Sequence, residues 1–335
     1  MIFIRADANK NIGVGHVMRC LSIARAFKER GQRVVFVTAD HNADALIDDF
    51  EKICLDTNYT EMYQETDAML RLTAEYSPDM LIVDSYFVTG QYFSKLRKAV
   101  KIAYIDDLNA EKWDIDYLIN YNIFALSSDY SAYDDSVTVL LLGPEYAPLR
   151  EEFSVAPITE KRNEVKDILV SAGGADPEGI TEKLIDEVCR SWGNIRFHFV
   201  VGMMNPRIDS IRKKEKDNII LHINEKHMSD LMKNSDIAVS AAGSTLYELC
   251  SLGVPTVTYT LADNQLEAAD KFDSLGIMIN AGDCRNNPDF IPGVAGILKE
   301  LIGDIDKRMK MSHKMQTLVD GKGSSRIADR LLSDI

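Results

Sequence analysis

The feature that most constrains this chain is a rhythm. Short runs rich in Ile, Val and Leu are followed by longer stretches of helical pattern, repeated through nearly the whole sequence. The runs are continuously apolar rather than alternating, as in VVFVT and MLIVD. That suits strands buried on both faces of a parallel sheet. Parallel neighbours need crossover connections, and right-handed strand–helix–strand units stack into a doubly wound layer. In the first half the spacing predicts strands at 1–6, 33–38, 52–55, 79–84, 101–106, 116–120 and 137–142. Helices fall near 15–30, 42–50, 61–76 and 89–99. The rhythm pauses over 143–164, where turn residues and a polar stretch intervene. It resumes with strands at 167–172, 195–201, 218–223, 236–241, 255–260 and 276–280. Helices follow near 179–191, 206–216, 228–234, 244–252, 264–274 and 290–317. A last amphipathic stretch, 324–334, begins at a serine-rich cap. The expected fold class is α/β: two Rossmann-like, doubly wound domains, 1–150 and 165–320, facing a central cleft. The segment 321–335 is expected as a helix returning to the first domain. Ligands of such sheets bind beyond the carboxyl ends of the strands, so the loops there carry the candidate chemistry.

Hydrophobic residues make up 46% of the 335, which excludes a disordered chain. No apolar run reaches a membrane span, and the N-terminus lacks a signal-peptide pattern, so a cytoplasmic protein is expected. The net charge, 38 − 52 = −14, argues against a nucleic-acid partner, whose phosphates need clustered Lys and Arg. It leaves room for one small anionic ligand held by backbone N–H groups at a helix start. The five cysteines, Cys20, Cys54, Cys189, Cys250 and Cys284, show no CxxC or zinc spacing and read as reduced thiols. His198 reads as core, and His41 and His313 as surface. His222 and His227 lack the spacing of a helical metal pair, so no metal site is expected.

After the first strand comes ADANKNIGVGH. Gly13 and Gly15 suit a tight strand-to-helix turn that lets a ligand approach the backbone. The third glycine of a dinucleotide fingerprint would fall at position 18, which is Met18, and no GxxxxGK[ST] exists. His16 opens the next helix. A helix N-terminus favours the neutral imidazole that a general base requires; the alternative is a histidine that merely packs the turn. Asp84, Asp106 and Asp107 end strands and could be acids, bases or turn residues.

In the second half three loops look ligand-directed. Gly173 and Gly174 lie in SAGGADPEG, where Asp176-Pro177 suggests a helix opening with proline at its first position. In SAAGSTLYEL, Gly243 is followed by Ser244 or Thr245 as helix cap, a good diphosphate cradle. Glu248 could accept from a ribose diol or complete a T-x-x-E capping box with Thr245. LADNQ, 261–265, precedes a third helix.

IRADANKNIGVGHVMRC, VDSY, IDDL, LGPEYAPLREEF, LVSAGGADPEG, AAGSTLYELCSLGVPT and LADNQ follow one another over most of residues 1–280. Together they resemble the PseG-type UDP-2,4-diacetamido-2,4,6-trideoxy-β-L-altropyranose hydrolases of pseudaminic acid biosynthesis. That family merges with glycosyltransferases of spore-coat polysaccharide synthesis. The resemblance implies the GT-B architecture and hydrolysis of a UDP-sugar at the anomeric C–O bond with inversion, without metal or other cofactor. It implies His16 as the base that activates water. Gly173, Gly174, Gly243, Ser244 and Thr245 would cradle the diphosphate, and Glu248 would hold the ribose. Ile223 and Met228 would lie at the uracil. Gly13, Gly15, Tyr86, Asn264 and Gln265 would face the sugar. Phe87 stands where the family often has glycine, and Ala242 replaces a glycine before the GST triplet, so the sugar pocket differs from the family pattern. The alternatives are a GT-B transferase using the same donor, with Phe87 and Tyr92 as candidates for an apolar acceptor patch, and a non-enzymatic UDP-sugar sensor.

Overall fold

The computed structural model describes residues 1–134, 136–154, 163–203 and 205–334. The chain divides into two compact units, one formed by residues 1–151 with the C-terminal stretch from Gly321, the other by Glu152–Asp320.

The first unit runs β1 (Ile2–Ala6), α1 (Gly15–Glu29), β2 (Val34–Thr38), β3 (Glu51–Cys54), α2 (Thr66–Tyr76), β4 (Met80–Asp84), α3 (Gly90–Leu96), β5 (Lys101–Ile105), β6 (Tyr117–Asn120) and β7 (Val139–Leu142). Its seven strands are all parallel, in the order β3-β2-β1-β4-β5-β6-β7. The order reverses beside β1, which places the carboxyl ends of β1 and β4 at the switch point. Every residue of β1, β2 and β4 is buried, whereas edge strand β3 is half exposed. Continuous apolar runs therefore belong to the sheet interior.

The second unit continues with β8 (Asp167–Ser171), α4 (Ile180–Glu187), β9 (Arg196–Val201), α5 (Ile208–Arg212), β10 (Ile219–Ile223), α6 (Met228–Lys233), β11 (Ile237–Ala241) and α7 (Thr245–Ser251). Then come β12 (Thr256–Thr260), α8 (Leu266–Ser274), β13 (Ile279–Asp283), α9 (Phe290–Gly303) and α10 (Ile305–Leu318). Its six parallel strands follow the same pattern, β10-β9-β8-β11-β12-β13, with the reversal between β8 and β11. Both halves thus carry the Rossmann strand order.

The last helix, α11 (Gly323–Leu332), packs within the first unit. Arg30, just past α1, donates to both Asp329 oxygens at 2.6 and 2.9 Å. A Cβ on Gly323 would lie 2.2 Å from the Ala147 carbonyl oxygen, so only glycine lets α11 seat there.

Four elements differ from expectation. Residues 42–50 form a short 3-10 turn, His41–Ala43, and then loop, not a helix. Asp40 caps that turn, accepting from Asn42 N–H at 2.8 Å, but the turn is not continued beyond Ala43. The strand expected at 276–280 begins at Ile279, because Gly276 at φ +61° and the two residues after it close α8. The stretch 290–317 is broken at Asp304, whose carboxylate caps α10 through Lys307 N–H at 2.9 Å. The serine-rich cap of the final helix is absent: Lys322 holds the cap position and no side chain caps it. Part of the linker read from the sequence, 155–162, lies outside the described residues. Among the described residues no helix is long and apolar enough to cross a membrane.

Candidate active site

In the first unit the loop between β1 and α1 is folded back by Asn9 and Gly13, whose backbones pair in both directions at 3.2 and 2.8 Å. Gly13 adopts φ +75°, a conformation that side chains resist. Gly15 does not share this need. It is the first residue of α1 and has no positive φ.

His16 is next, 7% exposed. Its Nδ1 lies 2.6 Å from Asp84 Oδ1 at the end of β4. In the tautomer that donates Nδ1–H to that carboxylate, Nε2 is left as an acceptor. Tyr86 meets the ring edge-on, centroids 4.6 Å apart. Asp7, Ile12, Ser85 and Phe87 complete the lining of a small hollow beside them.

Arg19 organises this cluster. It stands one turn after His16 on α1, and its Nε and Nη2 donate to the two Asp84 oxygens, each at 2.6 Å. Nη1 donates to Asp107 Oδ2 at 2.7 Å and to the Tyr121 hydroxyl at 2.8 Å. The Tyr86 hydroxyl donates to the same Asp107 oxygen at 2.9 Å. Burial opposes the charge on Arg19, but Asp107 and Asp84 outweigh it and raise its pKa well above the ordinary value. Burial also pushes Asp84 upward, yet Arg19 and then His16 overcome it and hold the carboxyl well below the usual range. Asp84 is therefore an anion at neutral pH, locked in both its oxygens.

The three aspartates left open in the sequence now separate. Asp84 orients His16, and Asp107 ties Arg19 to Tyr86. Asp106 accepts from Leu108 N–H, Asn109 N–H and Trp113 Nε1, the work of a turn residue, and burial raises its pKa. Tyr92 cannot belong to an exposed acceptor patch. It is fully buried and its hydroxyl donates to Glu65. Phe87 is half-buried against Tyr59, ring centroids 5.5 Å apart. Sequence reasoning missed Arg19. Its one signal is the three-residue spacing from His16, which puts both on one helix face.

In the second unit the candidate loops follow the carboxyl ends of β8, β10, β11 and β12. Gly173, at φ +78°, and Gly174 are exposed. A Cβ on Gly202, after β9, would lie 2.3 Å from the Gly174 carbonyl oxygen, so a second glycine supports this loop unannounced by any motif. The helix here opens at Ile180, not at Pro177; buried Asp176 reaches forward to accept from Ile180 and Thr181 N–H at 2.8 and 3.0 Å. Gly243 and Ser244 are exposed ahead of α7. Ser244 already has helical backbone angles and makes no side-chain cap bond, so the expected cap is not formed. Thr245 is the first helical residue rather than the cap, which removes the capping-box reading of Glu248. Glu248 is half-buried one turn in. Ile223 ends β10 half-buried, and Met228 opens α6, buried. Asn264 is exposed in the 3-10 turn Asp263–Gln265, whereas Gln265 Oε1 turns back to accept from Leu261 N–H at 2.8 Å. His198 is not the core residue expected. It is half-buried, with Nδ1 3.0 Å from His222 Nε2 and Nε2 3.0 Å from Asp167.

Two Rossmann-like units in one chain define the GT-B class, and solved structures agree. Acinetobacter baumannii MurG matches with TM-score 0.71 at 13% identity, covering 99% of both chains. A UDP-GlcNAc 2-epimerase from Neisseria meningitidis, solved with UDP-GlcNAc, matches with TM-score 0.67 at 14% identity, covering 99% of this chain and 100% of the other. No family model matches the chain. Among curated proteins it is similar to SpsG, a spore coat polysaccharide biosynthesis protein of Bacillus subtilis, at 25% identity over 99% of this chain and 97% of that protein. It is similar to the UDP-2,4-diacetamido-2,4,6-trideoxy-beta-L-altropyranose hydrolase of Campylobacter jejuni at 26% identity, over 74% of this chain and 86% of that one. An uncharacterized Methanocaldococcus jannaschii protein, MJ1062, matches at 26% identity over 81% of this chain, which spans 58% of its length. The resemblance read from the spaced motifs is supported by these relatives.

Proposed function

We propose that the chain hydrolyses a UDP-linked acetamido-deoxy sugar at its anomeric C–O bond, with inversion and without a metal in the reaction. The supporting observation is the His16–Asp84 pair. Asp84, neutralised by Arg19, holds one imidazole nitrogen and leaves Nε2 to take a proton from water. As water attacks the anomeric carbon, the C–O bond to UDP breaks and the electron pair leaves with the diphosphate. UDP is a good leaving group, so it needs charge stabilisation more than a strong acid. The N–H groups and hydroxyls around Gly173, Gly174, Gly243, Ser244 and Thr245 suit that task. Glu248 then bonds the ribose, and Ile223 and Met228 flank the uracil. Gly13, Gly15, Tyr86, Asn264 and Gln265 meet the sugar, with Tyr86 fixed by Asp107. This reading assigns UDP to the second unit and the base to the first, and it fits a cytoplasmic enzyme drawing on soluble nucleotide sugars for pseudaminic-type acid synthesis.

The likeness to SpsG over nearly the whole chain supports a second reading, a GT-B transferase of surface or spore-coat polysaccharide synthesis using the same donor. Incubation with a panel of UDP-linked amino sugars, with and without sugar acceptors, decides between them. UDP release without acceptor, with free sugar of inverted anomeric configuration, supports hydrolysis. Release only with acceptor supports transfer. UDP-sugar binding without release in either arm overturns both.

A further inference from the structure

A second cluster of ligand-type side chains lies at the edge of the first unit's sheet. The parallel register of β2 and β3 sets Thr38 opposite Cys54. The pairing continues past the strand ends, with Leu55 N–H on Thr38 O and Thr57 N–H on Ala39 O, both at 2.9 Å. The segment carrying Asp56 is thereby pinned beside the turn that begins at His41. One ring nitrogen of His41, the Sγ of Cys54 and a carboxylate oxygen of Asp56 all lie within 4.8 Å of one another.

We propose that His41, Cys54 and Asp56 form a site for one divalent cation of the zinc class. The donor set selects the metal. An imidazole and a thiolate favour zinc and its neighbours, while magnesium and calcium take oxygen ligands. Bonds of about 2.0 Å to nitrogen and oxygen and about 2.3 Å to sulfur bring tetrahedral ligand atoms within roughly 3–4 Å of each other, which small rotamer changes supply here. Asp44 Oδ2 lies 2.8 Å from His41 Nδ1; with the cation on Nε2, that carboxylate would be the outer partner that orients a metal-bound histidine. Three protein ligands leave a fourth position to water. The cation would clip edge strand β3 to the turn after β2, adding to the backbone ladder and to Lys52 Nζ, which donates to Asp44 O at 2.9 Å.

The test uses the untagged full chain, reduced and stripped with chelator, titrated with Co²⁺. A near-ultraviolet thiolate-to-cobalt absorption should appear and saturate at one cation per chain, and Zn²⁺ should displace it. Cys20, Cys189, Cys250 and Cys284 are buried, so the band should vanish in both Cys54→Ala and Cys54→Ser. His41→Ala should weaken binding at least tenfold, and Asp44→Asn by about tenfold, the scale of losing an outer partner. Circular dichroism confirms folding of each variant, and exposed His41 offers a change that burial does not complicate. Absence of the band in the native chain, or its persistence without the Cys54 thiol, overturns the site.

Discussion

Asp84 Oδ1 lies 2.6 Å from His16 Nδ1, joining the end of one central strand to the start of the first helix. The two residues are 68 positions apart in sequence and come from adjacent strand ends, because β1 and β4 pair at the point where the strand order reverses. The histidine's orientation is thus a product of topology.

Replacing His16 by Ala or Asn should lower kcat by about 10²–10⁴-fold, the range for loss of a general base. If His16 acts as that base, KM and UDP affinity should change little, because such a contact is made chiefly in the transition state. Steady-state kinetics on a confirmed substrate, with calorimetric UDP titration, checks both. Near-normal kcat in the variant would return His16 to a packing role.

Asp84→Asn keeps the shape but removes one of the two carboxylates that balance buried Arg19, breaking its paired contact there and leaving Asp107. Breaking such a pair costs about 3–5 kcal/mol, so denaturant unfolding should show a large loss. The native protein should also have an acid limit. The carboxyl of Asp84 is held below its unfolded value, so its stabilisation is complete above about pH 4 and drains away as pH falls toward the lower folded value. Unfolding curves from pH 7 down to pH 2 should show that slope in the native chain and a shallower one in the variant.

Glu248→Gln should weaken UDP binding by about 1–3 kcal/mol, the scale of a hydrogen bond to a charged group. Loss of a capping box is no part of the expected effect, since Thr245 is the first helical residue and not the cap. A drop in stability with unchanged UDP affinity would mean that the carboxylate serves the helix instead.

Gly323→Ala should destabilise the first unit by about 1–3 kcal/mol, the cost of overpacking. The new methyl meets the Ala147 backbone, which cannot swing aside as a side chain can. Hydrogen exchange should then quicken in α11 and along the face of α1 that it covers. An unchanged exchange pattern would show that α11 is not held by this contact.

Much of the fold was legible because its determinants are local. Apolar runs such as IFIRA and DILVS mark strands, the spacing between them marks crossover helices, and their repetition marks two parallel sheets. His16 was legible for a similar reason, standing after the glycine pair where the first strand meets its helix. The failures are also local in origin. Asp40 caps a 3-10 turn that stops at Ala43 rather than running on as a helix, and neither Ser244 nor Thr245 caps α7, because Ser244 already has helical backbone angles and Thr245 is the first helical residue.

The sequence by itself determined the strand order's raw material, the glycine-bearing loops and the residue types available for chemistry. Only the tertiary structure decided which of those residues meet. Arg19 became the hub of Asp84, Asp107 and Tyr121, and His41, Cys54 and Asp56 drew together across β2 and β3, without any motif to announce either group. The physical reason is that periodicity encodes which face of an element is buried, whereas a charge cluster depends on which strand ends become neighbours. That is settled by sheet pairing between distant segments, where burial turns chance proximity into an enforced ion pair.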